Sequence, residues 1–130
     1  MKLRIAMCLA LSAMVLGPAY AGDVESAMKD RAEAQADAAK DMAKRNYELS
    51  RDTCKSLSGN ARDVCVKDAE AAYIRAKSEA RVDEKVGKER AVATAEQMKA
   101  QYKAEKARCD GLSGSAKDAC VSEAKVRYHQ

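Results

Sequence analysis

The sequence predicts an all-α fold of long antiparallel helical hairpins. Three helices are joined by two Cys-x10-Cys turns into an elongated, coiled-coil-like rod, and each hairpin is stapled by a disulfide. Three observations lead there. Beyond Ala21, the residue types Ala, Glu, Lys, Leu and Arg together make up about half of the chain, the composition of long helices. The same stretch has 22 Ala but only 12 Leu, Ile and Val, with no Phe, Trp or Pro, so a conventional globular core and a sheet are both excluded. Finally, Tyr47 to Arg75 aligned with Tyr102 to Gln130 gives eleven identities in 29 positions, a degenerate internal repeat.

The chain opens with Lys2 and Arg4, an uncharged run from Ile5 to Leu16, and then Gly17-Pro18 and the small-residue triplet Ala19-Tyr20-Ala21. This order of charged, apolar and small-residue regions predicts a secretory signal peptide over residues 1–21, cleaved before Gly22. The apolar run is too short to span a bilayer, which takes about 20 apolar residues. Cys8 would leave with the leader. The helical hairpin domain is then residues 22–130, with a first hairpin over about 23–95 and a second over about 96–130. Its four cysteines, an even number in an exported chain, favour disulfides over free thiols. Its 22 basic and 20 acidic side chains are interspersed. Acids stand four residues before bases in Asp41/Arg45, Asp63/Lys67, Glu84/Lys88 and Glu123/Arg127, as on solvated helix faces.

The first helix is expected from about Asp23 to Leu57, the second from about Asn60 to Asp110, and the third from about Ser115 to His129. Each junction repeats one kernel. It reads Cys54-Lys55-Ser56-Leu57-Ser58-Gly59-Asn60-Ala61-Arg62-Asp63-Val64-Cys65 in the first copy. In the second it reads Cys109-Asp110-Gly111-Leu112-Ser113-Gly114-Ser115-Ala116-Lys117-Asp118-Ala119-Cys120. Gly59 and Gly114 suit the left-handed conformation that closes a helix, with Leu57 and Leu112 supplying the apolar contact at that end. Asn60 and Ser115 are then expected as N-caps, with Asp63 and Asp118 at the third helical position bonding back to the cap.

A chain folded about these turns places facing residues at constant sums of their numbers. Cys54 then faces Cys65, and Tyr47 faces Tyr73; Cys109 faces Cys120, and Tyr102 faces Tyr128. Four cysteines allow three pairings, and the local pairs Cys54–Cys65 and Cys109–Cys120 are the geometric favourites. One Tyr–Tyr layer is expected in each hairpin. The close approach that a disulfide demands is permitted by seams of small residues. On the first helix these are Met28, Ala32, Gln35, Ala39, Met42 and Asn46, with Ala36, Ala43, Tyr47, Ser50, Cys54 and Leu57 beside them. On the second they are Cys65, Ala69, Ala72, Ala76 and Ala80, then Ala91, Ala95, Met98, Tyr102 and Cys109.

Alanine packs helices closely but buries little area, so each disulfide, worth about 2 to 3 kcal/mol for a loop of about a dozen residues, would carry much of the stability. An unbroken middle helix of about fifty residues would extend about 75 Å. The first and third helices would then meet nearly end to end along it. The alternative is a break at Val86-Gly87-Lys88 that folds the third helix back into a bundle. Scarce apolar cover also leads to an expected protein partner, or self-association, through the alanine-rich seam.

The same residues argue against chemistry. Zinc sites draw on closely spaced cysteine pairs, often with histidines, whereas here ten residues separate each pair and His129 is the lone histidine. A Cys-x-x-Cys redox motif and a nucleophile with a histidine base are missing, and the turn glycines are explained by capping, so no catalytic residue, cofactor or metal site is expected. A clustered basic face with stacking aromatics, as nucleic-acid binding requires, is absent. Membrane-surface binding is not favoured, for want of a bulky apolar face.

The kernel Cys-x-x-Leu-Ser-Gly-x-Ala-(Lys/Arg)-Asp-x-Cys, continuing into Val-x-(Asp/Glu)-Ala, resembles a motif of small, Ala/Lys/Glu-rich exported proteins of proteobacteria, some labelled TolA-like cell-envelope proteins. The resemblance covers residues 54–69 and 109–124, and the remainder by composition. It implies a periplasmic location and an envelope role. The expectation is a periplasmic structural or interaction module; the alternatives are a metal-binding or redox-responsive protein using the four cysteines, and a helical protein of the membrane surface.

Overall fold

The structure is a computed structural model that describes residues 21–130. Residues 1–20, and with them nearly all of the expected leader, lie outside the described residues. Three helices follow in order: α1 (Ala21–Cys54), α2 (Gly59–Cys109) and α3 (Gly114–Arg127). Among the described residues there is no strand.

α2 is unbroken over 51 residues, about 77 Å at 1.5 Å per residue. α1 packs on α2, α3 packs on α2, and α1 and α3 do not pack on each other. The α1–α2 contacts run antiparallel: Cys54 is joined to Cys65, Tyr47 stacks on Tyr73, Lys40 meets Glu84, Glu33 meets Lys88 and Ala32 abuts Gly87. The bundle alternative is thereby excluded. Gly87 does not break α2 but lies where α1 and α2 approach closely. A Cβ at this position would lie 2.6 Å from the Cβ of Ala32.

The core consists of small residues: Ala36, Ala43 and Cys54 on α1, Ala69, Ala80, Ala91 and Cys109 on α2, and Ala124 on α3. Ala69, Ala80 and Ala91 follow one another at every eleventh position. A second file at the same interval runs through Cys65, Ala76, Gly87, Met98 and Cys109. Three turns at about 3.67 residues per turn bring an eleven-residue period back to one face, a gentler seam than the heptad gives. The internal repeat, which carries Cys54 onto Cys109, spans five such periods. Cys65 and Cys109 are four periods apart, so α2 presents both cysteines on one face, and α1 and α3 lie on that face in succession.

Both turns differ from the expected capping. At the end of α1 the amides of Lys55, Ser56 and Leu57 donate to the carbonyls of Asp52, Thr53 and Cys54, three residues back rather than four, so the helix tightens and ends before Leu57. Gly111 and Leu112 donate likewise to Arg108 and Cys109. Ser58 and Ser113 then extend the chain, with φ −137° and −133°, and are the N-cap residues in place of Asn60 and Ser115. Neither makes a side-chain cap hydrogen bond.

The left-handed glycines are Gly59 and Gly114, with φ +57° and +59°, but they open the following helices instead of closing the preceding ones. Moving the cap back two residues puts Asp63 and Asp118 at the fifth helical position, beyond reach of a capping box. Leu57 and Leu112 are not buried against the helix ends but remain 41% and 46% exposed. α3 ends at Arg127, short of His129.

Candidate functional site

The kernels place four cysteines, the left-handed Gly59 and Gly114 and the capping Ser58 and Ser113 into two matching turns. Cys54 is bonded to Cys65 and Cys109 to Cys120, each with a Cα–Cα distance of 5.7 Å. Within each pair burial is unequal. Cys54 and Cys109 are fully buried, while Cys65 and Cys120 are half-buried. Beside the first disulfide lies a surface groove of about 570 Å³, lined by Ser50 and Thr53 of α1 and by Ala61, Val64, Cys65, Asp68, Ala69 and Ala72 of α2.

The two turns also differ in charge. In the second, Lys117 reaches across the loop to Asp110 at 2.9 Å, and this ammonium holds the Asp110 carboxyl below the usual carboxylate range. The matching residues of the first turn are Lys55 and Arg62, two cations that do not pair. Lys55 instead pairs with Asp52 at 2.6 Å on its own side of the hairpin, lowering the Asp52 carboxyl's pKa.

One tyrosine layer is formed. The rings of Tyr47 and Tyr73 stack at 5.1 Å with 23° between their planes, flanked by Arg51 over Tyr47 at 5.6 Å and Lys77 over Tyr73 at 5.2 Å. The expected second layer is not: Tyr102 and Tyr128 are half-buried and make no ring contact with each other. Tyr47 sits inside a helix that continues beyond it, whereas Tyr128 is the C-cap of α3, with φ −108°, and is released from the helical path that would have aimed it at Tyr102.

Midway along α1 and α2, next to the Gly87 contact, five charges alternate in sign. Lys40 lies 3.0 Å from Asp37 and 3.1 Å from Glu84, and Lys88 lies 2.7 Å from Glu84 and 3.3 Å from Glu33. Hydrogen bonds from Lys88 and then Lys40 hold the Glu84 carboxyl below its ordinary range. Asp37 and then Glu84 raise the Lys40 ammonium, and Glu84 foremost raises that of Lys88. Of the four acid-before-base pairs expected on single helices, only Glu84–Lys88 forms. Lys67 pairs with Glu70 instead, and Arg127 approaches Glu105 of α2 at 4.0 Å.

The flanks of α1 are unlike each other. One carries the charges of Glu33, Asp37, Lys40, Lys44 and Glu48, while the other, Gln35, Ala39, Met42, Asn46, Ser50 and Thr53, has none and is exposed, Met42 by 57%. All of these but Thr53 were expected in the helix seam; the structure puts them about a quarter-turn away and exposed, because the eleven-residue seam runs through Ala32, Ala36, Ala43 and Tyr47. Among the described residues no group of three or more His, Cys, Asp or Glu side chains is arranged to hold a metal ion, and no helix is long and apolar enough to cross a membrane. Two disulfides in a small helical chain fit an oxidising compartment. No protein-family model, curated protein or solved structure matches the chain.

Proposed function

We propose that this chain is a non-catalytic structural or protein-interaction module of the cell envelope, exported to the periplasm with its leader removed before Gly22. The observation that carries the reading is the pair of disulfide-closed turns at the two ends of one unbroken helix, both on the face that α1 and α3 cover. Such an arrangement fixes the length and straightness of a rod whose alanine core could not do so alone. It uses all four cysteines of the described residues in covalent bonds, which leaves metal ligation no thiolate to draw on. The export and envelope parts of the reading are supported by the leader-like segment from Met1 to Ala21 and by the resemblance of the two kernels.

The surface that best suits a partner, or a second copy, is the uncharged flank of α1 opposite its charged one. Site-specific photocrosslinking in cells tests this. A photoreactive residue at Met42 or Asn46 is expected to give an adduct of discrete mass, and one at Lys44 none. Absence of adducts from both flanks would remove the interaction reading. Protein purified without chelator that carries metal and four titratable thiols would replace it with metal handling, and partition into anionic vesicles would replace it with a membrane-surface role.

A further inference from the structure

We propose that the first turn is a thiol-exchange site, at which a dithiol opens the Cys54–Cys65 disulfide from one side only, by attack on the Sγ of Cys65. A disulfide is cleaved by a thiolate that approaches one of its sulfurs, and access decides which sulfur is struck. Cys54 is 0% exposed, shut between α1 and α2, while Cys65 is half-buried and lines the groove formed with Ser50, Thr53, Val64 and Ala72. Apart from Asp68, the groove is lined by uncharged side chains, so a thiolate entering it with an uncharged scaffold meets little opposition.

In the first step the thiolate's electron pair forms a new S–S bond to Cys65. The Cys54–Cys65 bond breaks, and its pair leaves on Cys54 as a thiolate that takes up a proton. The second thiol of the dithiol, deprotonated in turn, attacks its partner sulfur; the mixed S–S bond breaks, and its pair leaves on Cys65 as a thiolate that takes up a proton. Two cysteine thiols and one oxidised dithiol result. The second turn is guarded differently. Cys109 is also 0% exposed, but the Asp110–Lys117 ion pair spans the loop and holds the two helix ends together after the S–S bond is cut, which favours reclosure. The first turn has Lys55 and Arg62 at those positions and no such latch.

The test is a time course of opening of the oxidised full-length protein by dithiothreitol, quenched by alkylation and mapped by peptide mass. Labels are expected on Cys54 and Cys65 several-fold sooner than on Cys109 and Cys120. A parallel reaction with 2-mercaptoethanol, quenched in acid, is expected to leave the mixed disulfide on Cys65 and the free thiol on Cys54. A72Q, at an exposed helical position, should narrow the groove and slow the first opening without changing the second, and K117A should speed the second without changing the first. Equal or reversed rates in the wild-type chain, an adduct on Cys54, or an A72Q variant that opens as fast as wild type would each overturn the proposal.

Discussion

Replacing Gly87 with alanine sets two effects of known sign against each other. Glycine inside a helix costs about 1 kcal/mol relative to alanine, so on an isolated α2 the substitution would stabilise. At this position the new methyl would lie 2.6 Å from the Cβ of Ala32, about 1 Å inside the ordinary carbon–carbon contact distance. Pushing α1 away from α2 to make room costs about 1 to 3 kcal/mol, as overpacking does. The expected net effect of G87A is a loss of about 1 kcal/mol, or about 4 °C in Tm for a chain of this size. With A32G the obstructing methyl is gone, and G87A on that background is expected to gain about 1 kcal/mol, a coupling of about 2 kcal/mol in the double-mutant cycle. Thermal unfolding of the four oxidised proteins, followed by far-ultraviolet circular dichroism, reads this directly. An increment of the same sign and size in both backgrounds would refute the close approach of α1 and α2 at Gly87.

Four further outcomes are expected. Reduction of both disulfides should lower helicity and Tm sharply, since each closes a sequence separation of 11 and is worth about 2 to 3 kcal/mol beside a core of alanines; an unchanged melting curve in reductant would contradict this. G59A and G114A should each cost about 1 kcal/mol, because alanine pays for a left-handed φ even where the space around it is open, a loss measurable by the same melts. Ala91 is 0% exposed, so A91L should destabilise by about 1 to 3 kcal/mol while A71L, at an exposed position, leaves Tm nearly unchanged. Because Glu84 has its folded carboxyl pKa lowered, its contribution is in place above the ordinary carboxylate range and is lost as pH falls through the lowered value. E84Q should therefore flatten the acid limb of Tm against pH, and an identical acid limb in both proteins would contradict the Lys40–Glu84–Lys88 network.

The helices and their order were legible because composition and the absence of proline leave nothing else to form, and the two cysteine kernels set the turns. The seam on α2 was legible too, since alanines at three- and four-residue spacing mark it, except that Ala72, expected in it, is exposed. The seam on α1 was only partly so. Two uncharged series run side by side there, and three- or four-residue steps do not decide between them; the eleven-residue interval from Ala32 to Ala43 to Cys54 does. Gly87 was open to reading as a break because a helix-breaking and a close-packing glycine look alike until the residue opposite is known, and here it is Ala32.

The caps were misplaced by two residues because both serines and both following polar residues are competent N-caps, and the choice rests on where α1 and α2 tighten into three-residue hydrogen bonds. The links Glu33–Lys88 and Lys40–Glu84 join positions far apart in sequence and depend on the register of the two helices, which the facing cysteines and tyrosines define. The missing Tyr102–Tyr128 stack follows from α3 ending at Arg127, a boundary that the repeat does not encode.

Two local disulfides close the two turns, and intact mass with a peptide map under non-reducing conditions tests that most directly. The expected result is a chain lighter by four hydrogens than its reduced form, with Cys54 linked to Cys65 and Cys109 to Cys120. Free thiols, or a link between Cys54 or Cys65 and Cys109 or Cys120, would contradict it.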